Sequence, residues 1–224
     1  MPRLFSHVPN QPTAAECQNA YIILCNAHES ASSFLDIFIT TRQARSAKGA
    51  PTDEEQDLLR AMLLFAASGL DSMVKQLIRD ALPKVLTQSA GAHAMLETFL
   101  SRRLRKGDEV DFDLLAQIVA KENPRERIVT ELISDLTSAS LQSSDQLLRA
   151  ASFFDVPSSS ITSDVNRLRS IFAIRNQIAH EMDVDFGQPN RNRRPRRRQQ
   201  MVDETNEVFR VAENFLREVD QRAR

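Results

Sequence analysis

Arg175, Asn176 and His180, in the stretch Arg175-Asn176-Gln177-Ile178-Ala179-His180, set a permanent cation, an amide and a titratable imidazole within six residues. At 100° per residue of helix, Asn176 and His180 stand about 40° apart, and Arg175 lies about 100° from Asn176 and about 140° from His180. The Arg and the His therefore flank the Asn. A guanidinium grips a phosphate through a rigid fork of donors, and an imidazole moves protons near neutral pH. Together they form a minimal set for cleaving an RNA phosphodiester without a metal or any other cofactor.

Spacing alone is a weak signal. With 24 Arg and 4 His in 224 residues, an Arg-x4-His pair is expected about 0.4 times by chance, and an Asn directly after the Arg lowers that to about 0.02. Context adds more, because the pair closes an amphipathic helix expected over Asp164 to Glu181. Ser163 is the candidate N-cap, and Val165, Leu168, Ile171, Phe172, Ile174, Ile178 and Ala179 recur at helical spacing. Arg175 falls in phase with Leu168, Ile171, Phe172 and Ala179, on the apolar face. A cation buried there is costly unless something anionic meets it. The competing reading pairs Arg175 with a core carboxylate and leaves His180 at a helix C-terminus, where the dipole favours its charged form.

The elements that must position these residues read as helix throughout. A first helix is expected from near Pro12-Thr13 towards Arg45, with Cys17, Tyr21, Leu24, His28, Ala31, Leu35 and Phe38 in phase. Thr52 and Glu55 make a capping box that opens a long helix to about Leu82, which Pro83 ends or kinks. Shorter helices are expected at Ala92–Leu104, Phe112–Lys121, Pro124–Leu136 and Asp145–Phe154, and a final one at Val202–Arg222. Ser158 to Ser160 read as loop. No credible β-alternation and no internal repeat occur. The Ala66, Ala67 and Gly69 surface of the long helix should pack closely against an antiparallel neighbour.

Arg191 to Arg198 hold six arginines in eight positions: Arg191, Arg193, Arg194, Arg196, Arg197 and Arg198. Pro189 and Pro195 forbid helix, so the 187–200 segment reads as an exposed, self-repelling loop. It leaves directly from the helix that carries Arg175 and His180, and its arginines are candidates for RNA phosphate binding. The net charge of −1 predicts no overall attraction to nucleic acid, so RNA affinity must be local. Cys17 and Cys25 lie eight apart, about 12 Å along one helix, too far for a disulfide, and read as small buried hydrophobes. His28 reads as a core or boundary residue, His93 as a lone surface histidine, and His7 lies in a segment expected to be disordered. The absence of a signal-like run after Met1 and of an 18-residue apolar run suggests a soluble cytoplasmic protein with no membrane contact. No Gly-x-Ser-x-Gly elbow, Walker loop or Gly-x-Gly-x-x-Gly is present, against serine hydrolase, NTPase and dinucleotide-binding readings.

The stretch Leu168 to Asp183, with Arg-Asn-x3-His inside an apolar helix and an acidic, loop-like segment after it, resembles the signature of HEPN domains. Leu141 to Val156 likewise resembles the short helix and loop that precede the motif in several HEPN groups. The resemblance covers about residues 55 to 220, and its specific part is the Arg-Asn-x3-His core. It implies an all-α, HEPN-like helical bundle at 51–224, preceded by an N-terminal helical extension at 1–50. It further implies a metal-independent endoribonuclease acting as a homodimer on RNA. Arg175, Asn176 and His180 would be catalytic, and Asp71, on the polar stripe Ser68, Asp71 and Lys75 of the long helix, would reach across to hold Arg175 or His180. A competing possibility makes Asp71–Lys75 an exposed i,i+4 ion pair. Toxins and antiviral-defence effectors are the usual setting of such enzymes, with an antitoxin or defence-system protein as partner. Met182 stands where some HEPN toxins carry a Tyr, so chemistry assigned to that Tyr does not transfer. The alternative is a non-catalytic helical module that binds RNA, nucleotide or protein on the same bundle.

Overall fold

The computed structural model describes residues 10–106 and 109–224; His7 and the reading of Met1 to Ser6 lie outside them. The chain builds ten helices among these residues, joined by one two-residue hairpin. After a 3-10 turn at Ala15–Cys17, α1 runs over Gln18–Ala44 and α2 over Asp53–Asp80. Thr52 and Glu55 cap α2 reciprocally, as their spacing predicts. Ala81 interrupts the helix, and Pro83 sits in the first turn of α3, Leu82–Gln88, where its missing N–H costs nothing. α4 spans Ala90–Arg103, β1 Arg105–Lys106 and β2 Glu109–Val110. α5 follows at Phe112–Val119, α6 at Pro124–Ser138 and α7 at Ser144–Phe153.

Three details depart from the sequence reading. Ser158–Ile161 is a single helical turn, α8, because Ile161 points its side chain into the core with no exposed surface. The motif helix α9, Val165–Glu181, is capped by Asp164 and not by Ser163: Asp164 Oδ1 accepts from the Arg167 N–H at 2.9 Å. The last helix, α10, begins at Arg198, four residues before Val202, so that Met201 as well as Val202 is buried.

Helix α2 is the axis of the bundle. Leu59, Met62, Leu63, Ala66, Leu70, Met73, Val74, Leu77 and Ile78 along it are buried, with α1, α9 and α10 packed around it. By length and composition it could also cross a membrane, contrary to the expectation that no such apolar run exists; here it serves as the core helix. Gly69 marks the closest approach of α1, since a Cβ added there would sit 2.2 Å from Ala27 Cβ. The segment 1–50, read as an extension, supplies α1, whose Leu24, Ala31, Leu35 and Phe38 join the same core as α2 and α10. Asp220 of α10 clasps the chain ahead of α1, its Oδ1 accepting from the Thr13 and Ala14 N–H groups at 2.8 and 2.7 Å. Cys17 is buried, and the loss of solvation, helped by Asp220 and Glu16, pushes its thiol up to about 12. His28 packs edge-on against Phe209, and His93 faces Glu97 at 3.3 Å on the surface of α4.

Candidate active site

Helix α9 brings the three motif residues together. Arg175 Nη1 donates to Asn176 Oδ1 at 3.0 Å and lies 3.5 Å from His180 Nε2. A guanidinium has no acceptor, so this contact is a hydrogen bond only in the tautomer whose proton sits on Nδ1. Asn176 and His180 are exposed, whereas Arg175 is half-buried. It lies on the same helix face as the buried Leu168, Ile171 and Phe172. Burial holds the guanidinium below the usual arginine range, and the Asp71 carboxylate works against that. Arg175 Nε is buried without a hydrogen-bond partner. Among the described residues, no carboxylate pairs with the motif cation.

Asp71 does not reach across to Arg175 or His180 as expected. Its Oδ1 accepts from the Leu141 N–H at 2.6 Å and its Oδ2 pairs with Lys75 at 3.1 Å. It acts on Arg175 through space while tying the segment before α7 to α2.

The chain end of α9 is where sequence reasoning missed most. Met182 and Asp183 both adopt left-handed backbone, with φ of 51° and 60°, and both donate their N–H to the Gln177 carbonyl. Asp183 has no exposed surface. Its Oδ2 accepts from Arg60 Nε at 2.8 Å and Arg196 Nε at 2.9 Å, and its Oδ1 from Arg196 Nη2 at 2.5 Å. Burial alone would raise this carboxyl, but the bonds from Arg196 and Arg60 outweigh it and hold it below the usual carboxylate range. Arg196 also donates to Gln177 Oε1 at 3.1 Å, and its N–H to Gln56 Oε1 at 2.5 Å, while Arg60 donates to the Arg194 carbonyl at 2.9 Å. One buried carboxylate thus ties α2, the end of α9 and the arginine segment together, three residues beyond His180.

The arginine segment is accordingly not a self-repelling exposed loop. Arg196 is buried against Asp183. Arg193 pairs with Asp57 at 2.6 Å and donates to the Met182 carbonyl at 3.1 Å, and Arg194 donates to the Val184 carbonyl at 2.6 Å and pairs with Glu181 at 3.3 Å. Neighbouring carboxylates convert what looked like repulsion into cross-linking. Arg191, Arg197 and Arg198 keep exposed side chains, with Arg198 already in α10. The signal for Arg60 was present: it sits in phase with the buried stripe of α2, beside Leu59 and Leu63. Asp183 and Gln177 carried none, since their partners are distant in sequence. Among the described residues, no group of three or more His, Cys, Asp or Glu side chains could hold a metal ion.

The all-α bundle presents Arg-Asn-x3-His on its penultimate helix, as the resemblance to HEPN domains implies. The RiboL-PSP-HEPN family model matches residues 26–223, and the chain belongs to that family. The match begins inside α1. Neither the search of curated proteins nor that of solved structures returned a match.

Proposed function

We propose that the protein is a metal-independent endoribonuclease. The observation that carries this reading is Arg175: a half-buried cation, with one N–H unpartnered and another shared between Asn176 and His180. Leaving a desolvated cation so poorly paired is unfavourable, and a phosphate oxyanion is the partner it lacks. In the reaction, His180 Nε2 takes the proton of the ribose 2′-hydroxyl, and O2′ attacks the adjacent phosphorus. Arg175 stabilises the charge on the phosphorane, with Asn176 orienting the pair. The P–O5′ bond then breaks and the leaving oxygen takes a proton. The products carry a 2′,3′-cyclic phosphate and a 5′-hydroxyl.

One motif supplies one imidazole, whereas the reaction uses both a base and an acid. A second copy related by a two-fold axis would bring a second His180 and a second Arg175 to the same phosphate. The exposed setting of Asn176 and His180 leaves room for it and gives it a role, since a facing copy would exclude water. Purified protein should cleave RNA in EDTA with those end groups and sediment as a dimer; loss of cleavage on chelation, or full activity as a strict monomer, would overturn the corresponding part. The cellular setting we propose is that of a toxin or antiviral-defence effector, with growth arrest by the wild type and none by His180→Ala as the test.

A further inference from the structure

The loop after α9 carries two large apolar side chains in water. Met182 is 66% exposed and Phe186 62% exposed. Neither sits on a floppy strand. Val184 bridges Arg193, Asp185 N–H donates to the Asn192 carbonyl at 2.9 Å, and the tip turns through Gln188 N–H to the Asp185 carbonyl at 3.2 Å. Asp185 Oδ1 also accepts from the Gly187 N–H at 3.1 Å. Below this ladder lies the Asp183 anchor, and Arg193 holds the Met182 carbonyl. The loop therefore keeps Phe186 at the surface, six residues from His180, a span of at most about 22 Å even if fully extended.

The surroundings say what such a ring would meet. Of the six arginines from Met182 to Arg198, Arg193, Arg194 and Arg196 are paired with Asp57, Glu181 and Asp183. Asp183 is consumed in its buried pairs, and Arg191, Arg197 and Arg198 stay exposed. An exposed aromatic within a cationic loop is the combination that single-stranded nucleic acid uses: bases stack on the ring while phosphates follow the positive charge. A protein partner covering the same ring would also desolvate Arg191, whose N–H closes the same loop tip on the Gln188 carbonyl.

We propose that Phe186 is a stacking platform for an unpaired RNA base a few nucleotides from the phosphate held at Arg175. It rests on the ribonuclease reading for its substrate, and it adds that the substrate is unpaired at this position. A base in a duplex is already stacked on both faces and cannot lie on the ring.

The chain contains no Trp, so Phe186→Trp in the full-length protein installs a single fluorescent reporter. Titration with a 2′-O-methyl oligoribonucleotide, which cannot undergo 2′-hydroxyl attack, reads binding without turnover. Emission should be quenched by the single strand, and much less by the same length of abasic backbone or by duplex. Phe186→Ala should weaken single-strand binding about tenfold with its salt dependence unchanged, because stacking releases no counterions. Thermal melts of both variants should match the wild type, as the position is exposed. Equal quenching by abasic backbone, wild-type affinity in Phe186→Ala, or no binding by any form would overturn the platform. A change of oligomeric state in Phe186→Ala would also overturn it, by making the ring a protein contact. Base-dependent quenching in a protein that cleaves no RNA would sink the catalytic reading alone, and cleavage without such quenching would sink the platform alone.

Discussion

Two arginine sites lie on either side of the α9 terminus, and they treat the same side chain in opposite ways. Around Asp183, Arg60 and Arg196 surround one buried carboxylate, and their remaining donors reach Asp57, Gln177 and the Arg194 carbonyl. At the motif, Arg175 makes no such pair; its Nε is unsatisfied and its Nη1 touches an amide and an imidazole. The first arrangement converts charge into rigidity. The second withholds that stabilisation, which leaves the cation available to an incoming anion. Structure and chemistry are thus divided between neighbouring clusters, and each cluster can be broken separately.

The largest effects should come from the motif. His180→Ala should lower RNA cleavage by about 10²- to 10⁴-fold, the usual contribution of a general acid or base, with unfolding free energy within about 0.5 kcal/mol of wild type for an exposed side chain. Arg175→Met keeps the apolar stem and removes the cation. It should be equally inactive, with stability unchanged or raised by about 1 kcal/mol, since a poorly paired, desolvated charge is gone. Denaturation showing Arg175→Met to be strongly destabilised would mean that Arg175 is a structural residue, and the contrast between the two sites would collapse.

Next comes the anchor. Asp183→Asn tolerates the left-handed backbone but leaves Arg60 and Arg196 buried without their carboxylate, at a cost of about 3–5 kcal/mol in urea denaturation at pH 7. The effect should depend on pH in one direction. Because the folded carboxyl titrates below its unfolded value of about 3.9, its contribution is fully present above that pH and is lost as pH falls through the lower folded value. Wild type and Asp183→Asn should therefore converge in stability towards pH 2, and a gap that stays constant between pH 7 and pH 2 would show the charge to be irrelevant.

The smallest effect concerns the exposed arginines. Replacing Arg191, Arg197 and Arg198 together with Gln should weaken RNA binding and flatten its salt dependence by roughly 0.7 in slope per lost single-strand phosphate contact, with turnover at saturating RNA retained. Adding Arg193, Arg194 and Arg196 to the set should lower the melting temperature as well, because those three hold the loop. Identical melting of the two sets would erase the distinction between binding and supporting arginines.

The sequence made the helices legible because α1, α2, α9 and α10 each carry a long apolar stripe, and because Thr52, Pro83 and Glu55 punctuate them with unambiguous local chemistry. The motif was legible for the same reason: Arg175, Asn176 and His180 lie on one helix, so their geometry follows from spacing. What could not be read was everything settled by distant pairing. Arg60 and Arg196 look unrelated across more than a hundred residues, and only the fold shows that Asp183 joins them. The arginine run was misjudged as repulsive because like charges were counted without Asp57, Glu181 and Asp183, which neutralise it in space. Asp71 was expected to hold Arg175 or His180; the competing pair with Lys75 forms instead, and the Leu141 amide, distant in sequence, was not legible.

The Asp183 clasp also has a consequence in time. Arg60 emerges early in synthesis, Asp183 and Arg196 late, and α10, which covers α2, later still. The support beneath His180 therefore closes on a growing chain only after Arg196 has been added, more than a hundred residues behind Arg60. Until Asp183 and Arg196 have arrived, Arg60 stands on α2 without the carboxylate that pairs it in the folded bundle.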